Sequence, residues 1–319
     1  MPVGAIEVSP LAIAPHFGPS SEASTGVTPL CASRSFCSAE VLSSLALSIS
    51  PRIIAGGTIL LLFLVLGAVL PWFAPADPQA WQTYPRNLPP SFDHLMGTNK
   101  LGQDIFWLLT WAIRNSLLLG AIVAFFSTLI GVILGLVAGF KGGVVDRLLS
   151  FLMDATIAIP SLPILILMAS ILKGQATLMA ISIILVAFNW PFPGRQIRSV
   201  ALSMRDREFV DLAWFSGESL TAIISRQIFP YLKTWATANF INTVLVGVAV
   251  ESSLAVIGLS SADQATLGTM VYWALKYQAL LAEQWWWIGP PVVAIMLLFV
   301  GLFLLASGLE QRSQKARGR

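Results

Sequence analysis

Six long apolar runs leave this chain few ways to fold. They cover residues 53–73, 113–140, 148–172, 176–190, 236–259 and 288–307. Each is continuous rather than alternating at period 2, so each reads as a helix and not as a strand of a closed barrel. Backbone inside a bilayer must satisfy its own hydrogen bonds, and only those two forms do so. The chain is 56% hydrophobic and 11% charged, against roughly 25% charged in soluble domains. The expected fold is an all-α integral membrane protein with six transmembrane helices.

The segments between the runs divide the chain. Residues 1–50, rich in Ser, Ala and Pro, predict a disordered tail with a short helix near residues 40–48. No basic stretch leads directly into an apolar one there, so no signal peptide is expected. Residues 51–112 hold the first span and a polar, Pro-rich connection with an amphipathic end at 104–111. Trp81, Trp107 and Trp111, and later residues 285–287, suit a membrane interface. Residues 113–310 form the main helical body, and residues 311–319 a basic tail.

Within the body, Ala124, Thr128, Gly131, Gly135 and Gly139 fall mostly four apart. Such a small-residue stripe lets helix backbones approach closely in lipid. Residues 141–147 predict a short loop turning at Gly142 and Gly143. Pro160 and Pro163 predict a kink in the third span. Asn189, Pro191 and Pro193 close the short fourth one.

Six spans place both termini on one side, and the positive-inside rule decides which. Of the 19 basic residues, only Arg86, Lys100, Arg114, Lys173 and Lys276 fall opposite the termini. Both termini are therefore expected to be cytoplasmic. A net charge of +3 is too small to argue for nucleic acid.

Catalytic motifs are missing. The sequence holds no Walker A, HExxH or G-x-S-x-G pattern. Cys31 and Cys37 fit no zinc or redox spacing, and His16 and His94 lie far apart, so no metal site is expected. No enzyme activity and no cofactor is expected in this chain. Glu251 is the one carboxylate deep in a span, at a cost of about 2.5–3.5 kcal/mol on insertion scales. Asn239, Thr243, Gly247, Glu251 and Ala255 run four apart on one face. Two readings stand: Asn239, Thr243 and Glu251 line a translocation path, or Glu251 makes a structural hydrogen bond to a neighbouring helix. Asp154 is expected to face the surface.

The polar island in this apolar chain is residues 207–232. It carries Arg207, Glu208, Asp211, Glu218 and Arg226 between two spans. Helix-forming runs flank Gly217, and Pro230 is expected to stop the second. Two short helices on the cytoplasmic surface are predicted, placed to take a push from a partner.

The island resembles the signature loop of ABC importer permeases, E-A-A, three residues, Gly, then a hydrophobic-Pro ending. Asp211, Leu212 and Ala213 stand for E-A-A, Gly217 for the glycine, and Ile228, Phe229 and Pro230 for the end. Trp190, Arg195 and Arg198 resemble the approach to that loop. Residues 94–104, HLMGTNKLGQD, are similar to the H-P-L-G-T-D-x-x-G-R-D of the C-type subunit of dipeptide and oligopeptide permeases, a family that also includes nickel permeases. Gly142, Gly143, Asp146, Arg147, Asp154 and Pro160 resemble its second loop and third span. Residues 251–254, with Gly258 and Leu259, resemble its E-A-S-L-S-F-L-G-L-G. Asp211 and Leu212 replace Glu and Ala, and Asn99 and Gln103 replace Asp and Arg.

The resemblance covers residues 50–310 and implies a type I importer permease, with 113–310 as its permease domain. It implies a coupling helix docked on a cytoplasmic ATPase, with Glu208, Asp211, Ala213, Gly217, Ile228 and Pro230 as the coupling residues. The implied partners are a second homologous permease, two ATPase subunits carrying ATP and Mg, and an extracytoplasmic solute-binding protein. Peptides are the implied cargo, with oligosaccharides and nickel chelates as alternatives in the same branch. A proton-coupled secondary transporter centred on Glu251 is the reading from another class.

Overall fold

The computed structural model describes residues 51–171, 177–260 and 264–317. The tail expected over residues 1–50, with Cys31, Cys37 and His16, lies outside the described residues. One isolated bridge, between Thr98 and Asp104, is the only β pairing among the described residues; the regular structure is helical.

Helix α1, Pro51–Ala68, runs into a 3-10 turn, Leu70–Phe73. Helix α2, Ile105–Lys141, is 37 residues long, or about 55 Å at 1.5 Å per residue. That exceeds a hydrocarbon core of roughly 30 Å. It begins eight residues ahead of the expected span, because the amphipathic end of the connection is its first two turns. Asp104 caps it: Oδ1 accepts from the N–H groups of Phe106 at 2.9 Å and Trp107 at 3.3 Å.

The loop expected over residues 141–147 shrinks to Gly142, with φ 63°, and α3, Gly143–Ala158, starts at once. Helix α4, Ser161–Ile171, follows a 75° bend at the break carrying Pro160. Proline denies the N–H that would continue the ladder, so the expected kink is a full break between two helices.

Helices α5, Leu178–Asn189, and α6, Pro191–Arg205, form a candidate span of 28 residues. Pro191 and Pro193 were expected to close the fourth span; they open α6 instead. A first helical turn has unsatisfied N–H groups anyway, so proline costs little there. The island follows as α7, Glu208–Phe215, α8, Leu220–Ile223, and a π-helical turn, Ile224–Ile228. Helix α9 is Phe229–Val256. Pro230, expected as a stop, lies in its first turn for the same reason. The loop after α9 holds a helix that was not expected, α10, Leu267–Lys276. Helix α11, Trp285–Arg317, absorbs most of the expected basic tail, whose Gln, Arg, Lys and Ala are good helix formers.

Among the described residues five helices are long and apolar enough to cross a membrane, six if the bent α3–α4 pair is one span. Helix α2 is their common support. A Cβ on Gly135 would meet Gly194 O at 2.5 Å, and one on Gly139 would meet Ala201 Cβ at 2.4 Å, so the small-residue stripe seats α6. Gly120 carries α9 through Val244 and Val248. Trp287 is fully buried in the core beneath Tyr277 rather than interfacial, while Trp285 is exposed.

Candidate functional site

The island is a two-faced structure. Val210, Ala213, Ile223, Ile228 and Leu232 are buried together with Leu136 of α2 and Ile197 and Ala201 of α6. Leu212, Trp214 and Phe215 point out, Phe215 at 89% exposure. Glu208, Asp211, Gly217 and Pro230 are exposed too. Four of the six coupling candidates are therefore accessible. Ala213 and Ile228 instead hold the loop down on the bundle.

Gly217 closes α7. Its N–H donates to Trp214 O at 3.0 Å, and the N–H of Glu218 donates to Ala213 O at 3.1 Å. This paired closure needs a left-handed residue after the helix, where glycine is preferred, and Gly217 has φ 78°. A Cβ there would meet nothing within 4 Å. The requirement is conformational, not steric.

The loop is tied to the third span through α6. Arg198 pairs with Asp146 of α3, and Arg195 with Asp154, at 3.2 Å. Asp154 is largely exposed, as expected. The sequence quoted all four residues but gave no sign that they pair, since 52 positions separate Arg198 from Asp146.

The stripe on α9 turns inward. Asn239 Nδ2 donates to Thr128 Oγ1 on α2 at 3.1 Å, and Thr243 Oγ1 to Asn239 O at 2.8 Å. Gly247 lies against Gly120 and Val123. Glu251 is fully buried. Its Oε1 accepts from Thr266 Oγ1 at 2.7 Å and Ser260 Oγ at 3.0 Å. Its Oε2 is buried with no protein partner among the described residues. Asn239 and Glu251 thus bind different neighbours, about 18 Å apart along the axis. Asn242 and Ser253, overlooked in the sequence, are exposed polar residues on the same helix. Their signal was present: eleven positions make three helical turns, so they share a face.

At the far end of α2 the connection 74–104 folds into a hydrogen-bonded loop. His94 Nδ1 lies 2.8 Å from Asp104 Oδ2, so the two ends of the quoted motif meet. Asn99 Nδ2 donates to Gln103 Oε1 at 2.9 Å. These two residues, which replace the motif's Asp and Arg, are bonded to each other. Beside them, Trp81, Trp273 and Trp287 line a cavity of about 250 Å³ between this loop and α10.

The described residues form a helical bundle of several candidate spans with a loop folded back onto it. The chain belongs to the family of binding-protein-dependent transport system inner membrane components, matched over residues 131–317. It is 31% identical over 268 residues to the probable D,D-dipeptide transport system permease protein DdpC of Escherichia coli, covering 82% of this chain and 86% of that protein. It is 31% identical over 261 residues to the dipeptide transport system permease protein DppC of Bacillus subtilis, covering 81% and 80%. The oligopeptide transport system permease protein OppC of Mycobacterium tuberculosis is 28% identical over 211 residues, covering 66% and 72%.

Proposed function

We propose that this chain is one permease of an ATP-driven peptide importer, with the island facing the cytoplasm and the far-end loops facing outward. The observation that carries the reading is the division of the island. One face is buried on α2 and α6; the other offers Leu212, Trp214 and Phe215 with Glu208 and Asp211 beside them. A solvated loop does not gain by exposing such aromatics, whereas a docking surface does. A cytoplasmic ATPase seated there would move α6 and α9 together, since both share the island's core.

A second homologous permease would complete the path, and a binding protein would deliver peptide from outside. Peptide cargo is what three similar permeases are named for. The positive-inside asymmetry supports the orientation. ATP and Mg would sit on the ATPase subunits, and this chain would contribute no catalytic group.

The test is a Gly217→Asp variant in the reconstituted complex. Loss of peptide uptake with weaker co-purification of the ATPase is expected. Uptake and association equal to wild type would overturn the reading.

A further inference from the structure

The far-end loops build a second, more open cavity of about 420 Å³, lined by Arg86 and Lys100 with Gln82, Asn87, Trp81 and Tyr277. Two cations face it and no carboxylate lines it. Neither cation has an ion pair among the described residues. Lys100 is fixed, its Nζ donating to Tyr277 O at 3.1 Å.

The walls are built in advance. The N–H groups of Gln82, Tyr84 and Asn87 donate to the carbonyls of Leu101 at 2.8 Å, Gly102 at 3.0 Å and Asn99 at 3.3 Å. Gln82 and Asn87 are held in the left-handed region, φ 60° and 59°. Non-glycine residues in that conformation cost energy and persist where surrounding structure fixes them, commonly at ligand clamps. On the same two loops Phe92 and Leu281 are almost wholly exposed. Within the cavity Arg86 shares the lining with Trp81, Tyr277 and Leu101, and arginine among aromatic and aliphatic side chains is the composition of a protein–protein contact.

We propose that this cavity is the docking point for an acidic side chain, Asp or Glu, on the surface of the extracytoplasmic binding protein. The inference rests on the orientation and importer reading given above. The family is binding-protein-dependent by description, which supplies a partner on the outer side. Lys100, held by Tyr277 O, and Arg86 beside it, neither in an ion pair among the described residues, supply what a carboxylate on that partner would meet. Arg86 presents a planar fork that matches a carboxylate in two contacts, and Lys100 adds a point charge.

The test uses the whole transporter in nanodiscs, with the purified solute-binding protein of the same system as the fluorescent probe. Binding and stimulated ATP hydrolysis are measured from low to high salt. Arg86→Glu with Lys100→Glu is expected to weaken binding about tenfold or more at low salt and to flatten the salt dependence. The milder Arg86→Gln with Lys100→Gln pair serves if the reversed charges impair assembly, with the same direction expected. Charge reversal at one acidic residue of the binding protein should restore affinity to the Glu pair. Wild-type affinity and salt dependence in both variant pairs would overturn the docking point alone. A loss confined to peptides with a free C-terminal carboxylate, absent for amidated ones, would assign the cavity to cargo and overturn it too. A wild-type complex that its binding protein fails to stimulate would overturn the importer reading and the docking point with it.

Discussion

Arg198 grips Asp146 with two hydrogen bonds, Nε to Oδ1 and Nη2 to Oδ2, the latter 2.8 Å long. Both side chains are mostly shielded, at 30% and 18% exposure. This fork joins the start of α3 to the middle of α6, the helix on which the island rests. Charge-assisted bidentate pairs are stronger than simple ones, while partial exposure limits the gain. Asp146→Ala and Arg198→Ala should each lower stability, with a coupling of about 1–2 kcal/mol in a double-mutant cycle. Unfolding of the purified complex measures it; strictly additive effects would show that the fork contributes nothing.

Two adjacent glycines in α1 make a sharper comparison. A Cβ on Gly56 would meet Leu305 N at 2.6 Å and Gly301 O at 2.7 Å, whereas Gly57 has nothing within 4 Å. Gly56→Ala should cost about 1–3 kcal/mol by forcing α1 away from α11. Gly57→Ala should be neutral or gain up to about 1 kcal/mol from helix propensity. Thermal stability of the two single variants reads the difference directly.

At Gly217 the demand is on the backbone alone. Gly217→Val should cost about 1–2 kcal/mol in the left-handed conformation, and Gly217→Asn markedly less, since Asn tolerates it. Uptake rates ranked Gly, Asn, Val, with unchanged membrane insertion of the chain, are the expected result.

Thr266 serves two partners at once. Its hydroxyl donates to Glu251 and accepts from the N–H of Thr269 at 3.2 Å, capping α10. Thr266→Val keeps the shape and removes both bonds, at about 2–3 kcal/mol. Thr266→Ser keeps the hydroxyl and should cost under about 1 kcal/mol. Protection of the α10 amides from hydrogen exchange would distinguish the two.

The apolar runs, the two-helix island and the small-residue stripe were legible because each rests on local pattern. Gly131, Gly135 and Gly139 lie four apart, and only one helical face satisfies that spacing. Proline was legible as a break and illegible as a direction. Pro191 and Pro230 begin helices because a first turn does not need their missing N–H, and a sequence cannot say which side the helix lies on. Helix α10 was hidden in a connection too short to span. Its Thr266–Thr269 capping box was the available signal. Trp287 reads like Trp285 in sequence, and only tertiary packing makes one core and the other surface. The Arg198–Asp146 and Asn239–Thr128 bonds join residues 52 and 111 positions apart. No spacing rule reaches that far.

The π-helical turn Ile224–Ile228 enters α9 without any intervening coil. One extra residue in a turn advances the azimuth of everything after it by about 100°. The face that α8 sets on the bundle is therefore out of phase with the face that α9 sets on α2. Tightening that turn to an ordinary α pitch would return the hundred degrees as rotation of α9 about its own axis. The island and its span are thus one continuous helical path with a rotational offset built into the joint.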